Sequence, residues 1–221
     1  MLQRIPETEA MDSALEAEEY DTMDHAEVNA CFVRDFAAAG GMPDVTLDLG
    51  TGTALIPLVL CEYMPAVRVV AVDYAGEMLR VARRNIIARN AHDRIALVRA
   101  DGKRLPFPGG SFPQVISNSI VHHLPEPAFI FAEAWRVLRL GGMVFFRDLF
   151  RPPDAATLQD LVERYAGEGT PYQRKMFADS LHAALTVEEV RAIVSAFGLD
   201  QGCVRTSSDR HWTWVARKTA E

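Results

Sequence analysis

The feature of this sequence that most constrains its fold is an alternation of short apolar runs with longer helical patterns. Five runs rich in Val, Ile, Leu or Phe span residues 45–50, 67–73, 95–101, 113–118 and 142–148. Runs this apolar are typical of parallel strands buried on both faces. Helical periodicity in 75–90 and 127–139 places helices between them, and we expect Gly141-Gly142 to end the second helix. The sequence therefore predicts an α/β protein with a doubly wound, mostly parallel sheet.

Two C-terminal segments, CVRTSS and HWTWVARK, predict an antiparallel hairpin, which brings the sheet to seven strands. We expect one domain over 1–221, made of an N-terminal helical cover (1–40), a core (41–148), an insertion on the substrate side (149–185) and a C-terminal helix and hairpin (186–221). Val28, Phe32 and Phe36 recur at helical spacing in the cover. This helix is interpreted either as a lid over a ligand or as plain cover for the core.

Charge and composition exclude several classes of protein. The 221 residues carry a formal net charge of −7, which disfavours a nucleic-acid partner. No stretch approaches the roughly 18 apolar residues of a spanning helix, so no membrane insertion is expected. The three cysteines have no C-x-x-C spacing, which indicates reduced thiols rather than disulfides or a zinc site. The acidic N-terminus lacks the apolar core of a signal peptide. A cytoplasmic protein is expected.

A glycine-rich turn follows the first apolar run, with the sequence Asp48-Leu-Gly50-Thr-Gly52-Thr-Ala54. Ligands of open α/β sheets bind outside the carboxyl ends of the strands, and glycines there permit positive φ and close backbone approach. A dinucleotide loop would need a third glycine where Leu55 stands. Together with the absence of a Y-x-x-x-K pair, this disfavours a nicotinamide-dependent reductase.

Two further acids, Asp73 and Asp101, end the second and third runs. Each of the three acids alone could cap a helix, but jointly with the loop they indicate a ligand site. The D-x-G-x-G-x-A loop with these spaced acids resembles class I S-adenosylmethionine-dependent methyltransferases. Residues 105–127 and 136–146 are similar to small-molecule, quinone-biosynthesis-type members, although Pro113-Gln114 departs from their pattern. The resemblance covers about 44–148.

This resemblance implies a Rossmann-like methyltransferase fold that binds S-adenosylmethionine and releases S-adenosylhomocysteine. In the family the second-strand acid accepts from the ribose hydroxyls, the third-strand acid and the next amide hold the adenine, and the end of the fourth strand holds the methionine portion. Carried over to this sequence, the cofactor-binding residues are Asp48, Gly50, Thr51, Gly52, Asp73, Tyr74, Asp101, Gly102 and Asn118.

The side that would bind the methyl acceptor is less defined by the sequence. Methyl transfer requires alignment of acceptor and methyl group, exclusion of water and, for some acceptors, a base. His122 and His123 follow the fourth strand and are the candidate catalytic residues. The candidate substrate residues are Tyr20, His25, Arg147 and Asp148. No metal site is expected, because Asn118 stands where metal-dependent relatives have an acid.

The sequence thus predicts a methyltransferase that acts on a small molecule. Two alternatives stay open: a module that binds the cofactor without turnover, and a methyltransferase acting on a protein or RNA. Asn118-Ser-Ile-Val replaces an N-P-P-[YF] run, which disfavours nucleobase amino groups as acceptors. The sequence leaves the oligomeric state and the acceptor open.

Overall fold

Seven strands form one sheet in the computed structural model, which describes residues 2–7 and 12–220. The strands are β1 (Val45–Leu49), β2 (Arg68–Asp73), β3 (Ile95–Arg99), β4 (Phe112–Asn118), β5 (Leu138–Leu149), β6 (Val204–Thr206) and β7 (His211–Arg217). Their order is β3-β2-β1-β4-β5-β7-β6. β1 pairs in parallel with β2 and β4, β2 pairs in parallel with β3, and β6 pairs antiparallel with β7. The predicted mostly parallel sheet and C-terminal hairpin are confirmed.

The helices are α1 (Ala14–Thr22), α2 (Ala26–Ala38), α3 (Leu55–Tyr63), α4 (Gly76–Ala88), α5 (Ala128–Val137), α6 (Ala155–Ala166), α7 (Pro171–Ala183) and α8 (Val187–Ser195). Side-chain caps fix several of their first turns. Asp154 accepts from the amide of Thr157, and Thr186 and Glu189 form a reciprocal capping box. Within the described residues, no helix has the length and apolar character needed to cross a bilayer.

The chain divides into two compact units, and each is described separately here. The first comprises 1–9, 119–131 and 147–214, and the second comprises 10–118, 132–146 and 215–221. The described part of the predicted N-terminal cover is split between them, and residues 1 and 8–11 of that cover lie outside the described residues. The predicted organisation as one domain stays a prediction.

The second unit has its core around β1, β2 and β4. Phe32 and Phe36 of α2 are fully buried and meet the ring of Phe145 edge-on, with centroids 5.1 and 5.8 Å apart. Helix α2 therefore covers the core, one of the two interpretations expected, and its Asn29 also lines a cleft beside Asp48 and Asn118, so the other interpretation, a lid over a ligand, stays a prediction. Helix α1 packs separately, through Ala17 and Tyr20, against Ala75, Met78 and Val81 at the start of α4.

The first unit has a smaller apolar core formed mainly by α6 and α7. Its buried residues are Leu149, Leu158, Leu161, Val162, Leu181 and Ala184. The segment 2–7 docks on this unit: Arg4 Nε donates to the carbonyl of Ala183 at 2.7 Å, and its guanidinium reaches the carbonyl of Leu124 at 2.7 Å. Leu2, at the start of the segment, packs against the same apolar core.

Two local predictions are wrong. Gly141 and Gly142 do not end a helix, because α5 ends at Val137 and β5 begins at Leu138. Backbone hydrogen bonds of both glycines with Lys218 extend β5 toward its amino end. The helical spacing groups Val28 with Phe32 and Phe36 on one apolar face, but Val28 is 38% exposed, whereas both phenylalanines are fully buried.

Candidate functional site

A partly open cleft lies at the carboxyl ends of β1 and β4 in the second unit. It is lined by Tyr20, Asn29, Asp48, Gly50, Thr51, Thr53, Leu55, Ile56 and Asn118. The carboxyl edge of a parallel sheet is where α/β proteins bind ligands. Five of the residues predicted from the sequence meet here: Asp48, Gly50, Thr51 and Asn118 from the cofactor set, and Tyr20 from the substrate set.

The loop between β1 and α3 contains three residues with positive φ. Gly50, Gly52 and Ala54 have φ of 72°, 54° and 63°. Glycine adopts this conformation freely, whereas alanine does so at a cost of about 1 kcal/mol. Ala54 occupies the position where the family pattern has a glycine, and it keeps the left-handed geometry. The amides of Gly50 and Thr51 both donate to the carbonyl of Val72 at 2.9 Å, which ties the loop to β2.

Asp73, at the end of β2, binds both the loop and the next helix. Its Oδ2 accepts from the amide of Gly52 at 2.7 Å, and its Oδ1 accepts from the amide of Ala75 at 2.9 Å. A carboxylate has about four lone-pair sites and can accept from several donors at once. The structure therefore places Asp73 against the loop that forms the cleft, with its carboxylate committed to shaping that loop.

Four buried side-chain oxygens line the cleft. Among the described residues, Asp48 Oδ2, Thr51 Oγ1, Thr53 Oγ1 and Asn118 Oδ1 are buried with no hydrogen-bond partner. Burial raises the pKa of Asp48 to about 7, with a smaller contribution from the charge of Asp73, although the neighbouring Thr51 hydroxyl acts to lower it. Unpaired buried oxygens are costly, and they are the acceptors that a ligand carrying an ammonium group and hydroxyls would satisfy. The cleft therefore offers acceptors to the ammonium group of an amino-acid ligand.

Helix α1 borders this cleft together with α2, because Tyr20 of α1 and Asn29 of α2 both line it. Tyr20 faces the loop, and burial with the charges of Asp73 and Asp48 raises the pKa of Tyr20 to about 12. His25 packs beside the Tyr20 ring with centroids 4.7 Å apart. A signal for α1 was present in the sequence, because Ser13 and Glu16 form a capping box.

The three residues expected to hold the adenine do not line the cleft. Tyr74 is 59% exposed, and Asp101 accepts from the amide of Lys103 at 2.9 Å and pairs with its ammonium at 3.2 Å. Gly102 lies between Asp101 and Lys103 in the chain and is partly exposed. Their position at the ends of β2 and β3 agrees with the expected order along the sheet, but their contacts with a ligand stay a prediction.

A second polar cluster lies in the first unit, around the 3₁₀ turn Val121–His123. His122 Nδ1 lies 2.6 Å from Asp148 Oδ1, and both side chains are almost fully buried. Asp148 also accepts from the amides of Val121 and Leu149, each at 2.6 Å. Burial lowers the pKa of His122, but the Asp148 charge outweighs it and the net pKa is raised. Because Nδ1 faces the carboxylate, Nε2 keeps the lone pair when the ring is neutral.

Sequence reasoning missed Glu7, which faces His123 in this cluster. Glu7 Oε2 lies 2.9 Å from His123 Nδ1, and the rings of His122 and His123 are 4.2 Å apart. Burial acts to raise the pKa of Glu7, but the hydrogen bond and charge of the facing His123 act to lower it, and the net pKa lies below its usual value. Residues 2–7 have no periodic pattern or motif that could have indicated this contact.

The four predicted substrate residues fall into the two units. Tyr20 and His25 belong to the second unit, whereas Arg147 and Asp148 belong to the first. Arg147 is 8% exposed, and its Nε donates to the hydroxyl of Thr213 at 3.0 Å. Arg147 and Asp148 therefore hold their own unit together in this structure, and their contact with an acceptor stays a prediction.

Comparison with known families identifies the region that contains the cleft. Residues 47–146 match the methyltransferase domain family. The chain carries a class I S-adenosylmethionine-dependent methyltransferase domain. This confirms the family and the cofactor class predicted from the glycine loop and the spaced acids.

Two curated relatives share part of the methyltransferase domain. A demethylmenaquinone methyltransferase of Thermus thermophilus is 36% identical over 114 residues, which cover 52% of this chain and 51% of the relative. A malonyl-[acyl-carrier protein] O-methyltransferase of Geobacter sulfurreducens is 34% identical over 163 residues, covering 73% and 57%. The chain spans about half the length of these relatives.

Solved structures extend the similarity of the fold to almost the whole chain. A candidate S-adenosylmethionine-dependent methyltransferase from Methanococcus maripaludis superposes with a TM-score of 0.74 at 18% identity, covering 98% of each chain. A Haemonchus contortus phosphoethanolamine N-methyltransferase, bound to S-adenosylhomocysteine, gives 0.69 at 16% identity, covering 96% of this chain and 59% of its own. A [4+2]-cyclase gives 0.59 at 15% identity, covering 88% and 82%. At these identities the likeness shows the fold alone.

Proposed function

We propose that this protein binds S-adenosylmethionine in the cleft and transfers its methyl group to a small-molecule acceptor. The observation that carries the proposal is the set of buried, unpartnered oxygens of Asp48, Thr51, Thr53 and Asn118 beside a glycine loop. A bound ligand with hydrogen-bond donors would remove this energetic cost.

Each part of the cleft has a proposed task. Asp48 would pair with the ammonium group of the cofactor, since it is a buried carboxylate next to the unpartnered carbonyl oxygen of Asn118. Asp73 would accept from the ribose hydroxyls while it holds Gly52 in place. Asp101 and Gly102 would contact the adenine and Tyr74 would stack on it, as the family pattern implies. When bound, the cofactor supplies a sulfonium-activated methyl group, and the chain's residues hold it and exclude water.

The proposed acceptor class is a small molecule. Both relatives described above act, by their names, on a demethylmenaquinone or on a malonyl group carried by a protein. The net charge of −7 makes a polyanion an unfavourable acceptor. His122, His123, Arg147 and Asp148 are proposed for the acceptor side, and Tyr20 and His25 for the closure above the cofactor. We also propose a cytoplasmic location, in keeping with the three free cysteines.

Calorimetry with S-adenosylmethionine and S-adenosylhomocysteine tests the cofactor assignment. We expect one site per chain, and we expect Asp73→Asn to weaken binding at least tenfold, because one acceptor oxygen becomes a donor. Asp93→Asn, an exposed acid beyond α4, is the matched control and should leave affinity unchanged. Absence of binding at millimolar cofactor would contradict the proposal.

One second function is favoured by a specific observation. The [4+2]-cyclase has this fold, so the fold does not by itself imply methyl transfer. A protein of this alternative class would bind the cofactor without consuming it. Incubation with methyl-labelled cofactor and metabolite extract distinguishes the two: label in a small molecule supports the transferase, whereas tight binding with no transferred label supports the alternative.

A further inference from the structure

The first unit brings together three side chains with the chemistry of a metal site. Glu7, His122 and His123 each offer one ligand atom, and these atoms all lie within 4.8 Å of one another. Two imidazoles with one carboxylate are a ligand set that binds zinc and other first-row divalent metals. We propose that Glu7, His122 and His123 together bind one such divalent ion.

The backing of His122 supports metal ligation. Metal-binding histidines commonly donate their second ring N–H to a carboxylate, which orients the ring and increases its basicity. His122 has this arrangement, with Nδ1 2.6 Å from the buried carboxylate of Asp148. Asp148 is itself fixed by the amides of Val121 and Leu149, so its position does not depend on a ligand. The nitrogen left to bind a metal is therefore Nε2.

The second pair in the cluster consists of His123 and Glu7, and one oxygen of the Glu7 carboxylate lacks a partner. His123 Nδ1 lies 2.9 Å from Glu7 Oε2 and pairs with it, whereas Glu7 Oε1, in the described part of the chain, is buried without a hydrogen-bond partner. Ligands at tetrahedral zinc are about 3.4 Å apart, given bonds near 2.1 Å. The three ligand atoms lie within 4.8 Å of one another, so they would adjust toward these distances on binding one ion, and the buried Glu7 Oε1 offers a further oxygen.

The charges around the cluster favour a cation. Two carboxylates, Glu7 and Asp148, act on His122, and the guanidinium of Arg4 opposes them. Arg4 is directed to backbone carbonyls, including Leu124 at 2.7 Å. With both histidines neutral, Glu7 and Asp148 carry two negative charges, which are opposed by Arg4 and by the exposed ammonium of Lys175, which also acts on Glu7. Three protein ligands leave a fourth position for water or another oxygen ligand.

Zinc calorimetry and cobalt absorption on tag-free protein test this proposal. We expect one Zn²⁺ per chain with a micromolar or tighter Kd, and d–d absorption of Co²⁺ typical of four or five ligands. Glu7→Gln keeps the shape of the side chain and removes its charge, and it should weaken Zn²⁺ at least tenfold. Glu126→Gln, an exposed acid near the same turn, should bind as the wild type does. Failure of the wild type to bind one equivalent, or equal affinity in Glu7→Gln, overturns the proposal.

Nitrogen-15 NMR of the histidine rings identifies the ligands without a variant. On addition of one equivalent of Zn²⁺, the ring resonances of His122 and His123 should shift, whereas those of His92 and His211 should not. Shifts confined to other histidines, or no shifts, would also overturn the proposal. Neither measurement involves S-adenosylmethionine, so the metal site and the proposed methyl transfer succeed or fail separately.

Discussion

At the scale of single residues, Asp48 controls the energetics of the cleft. Its carboxyl group is 2% exposed, and burial with the charge of Asp73 raises its pKa to about 7. A buried acid with a raised pKa favours the folded state at low pH, and this contribution is lost as the pH rises from about 4 through 7. The folded protein without a ligand is therefore less stable above pH 7, where Asp48 becomes charged.

Asp48→Asn should remove this dependence. We expect the variant to be more stable than the wild type at pH 8, with a difference on the order of 4 kcal/mol as the upper limit, and to differ little at pH 4. Urea denaturation without cofactor at the two pH values measures it. If the variant were less stable than the wild type by the same amount at both pH values, Asp48 would have to be charged in the folded protein and stabilised there by neighbouring groups.

Cofactor binding should show the opposite trend with pH. An ammonium group beside Asp48 favours the carboxylate, so the wild-type affinity should increase from pH 6 to pH 8. In Asp48→Asn the affinity should be weaker and nearly independent of pH over this range. Calorimetric Kd values at pH 6, 7 and 8 measure both trends, and a flat wild-type profile would exclude a pairing between Asp48 and the ammonium group.

At the scale of elements, the attachment of α1 determines access to the cleft. Glu18 pairs with Arg80 and Arg84, and Asp21 pairs with Arg84 and accepts from Asn85. Most of these groups are exposed, so the pairs add little to global stability and weaken with salt. Their effect is expected instead on how often the helix opens locally.

Arg84→Ala should loosen α1 without unfolding the domain. We expect amide exchange in Ala14–Thr22 to become several-fold faster and cofactor dissociation to accelerate, because the variant removes contacts to two acids on α1. Hydrogen exchange by mass spectrometry measures the first effect and stopped-flow the second. Arg83→Ala on the same helix is the control, and equal behaviour of the two variants would show that the ion pairs do not hold α1.

The amino end of β5 provides a second test at this scale. A Cβ on Gly142 would lie 2.8 Å from the carbonyl oxygen of Pro113, whereas a Cβ on Gly141 would meet nothing within 4 Å. We expect Gly142→Ala to lower the free energy of unfolding by about 2 to 3 kcal/mol. Gly141→Ala, at φ 75°, should cost about 1 kcal/mol. Urea denaturation compares the two, and the reverse ranking would mean that β5 does not begin at Leu138.

At the scale of the whole molecule, cofactor binding should appear as added stability. A ligand at 100 times its Kd stabilises the native state by about 2.7 kcal/mol, which corresponds to a Tm increase of roughly 5 to 10 °C for a chain of this size. Thermal denaturation with S-adenosylhomocysteine measures the increase, with adenosine as a weaker comparison. An unchanged Tm under saturating ligand would contradict the cleft assignment.

The sheet and the loop were predictable because their signals are local. Residues 69–72 are apolar throughout, and Gly50 and Gly52 mark positions where positive φ is required. The early start of β5 was not predictable, because it depends on hydrogen bonds between Gly141, Gly142 and Lys218, far apart in sequence. Glu7 was missed for the same reason, since its neighbour His123 is more than a hundred residues away.

The docking of residues 2–7 has a consequence for the order of events during synthesis. Arg4 and its acceptor Ala183 are separated by 179 positions, so this hydrogen bond requires the intervening chain to have been made. At about 5 to 20 residues per second, the ribosome needs roughly 10 to 35 seconds for that stretch. The segment that carries Glu7 is thus among the first parts described here to be translated and among the last to find its contacts.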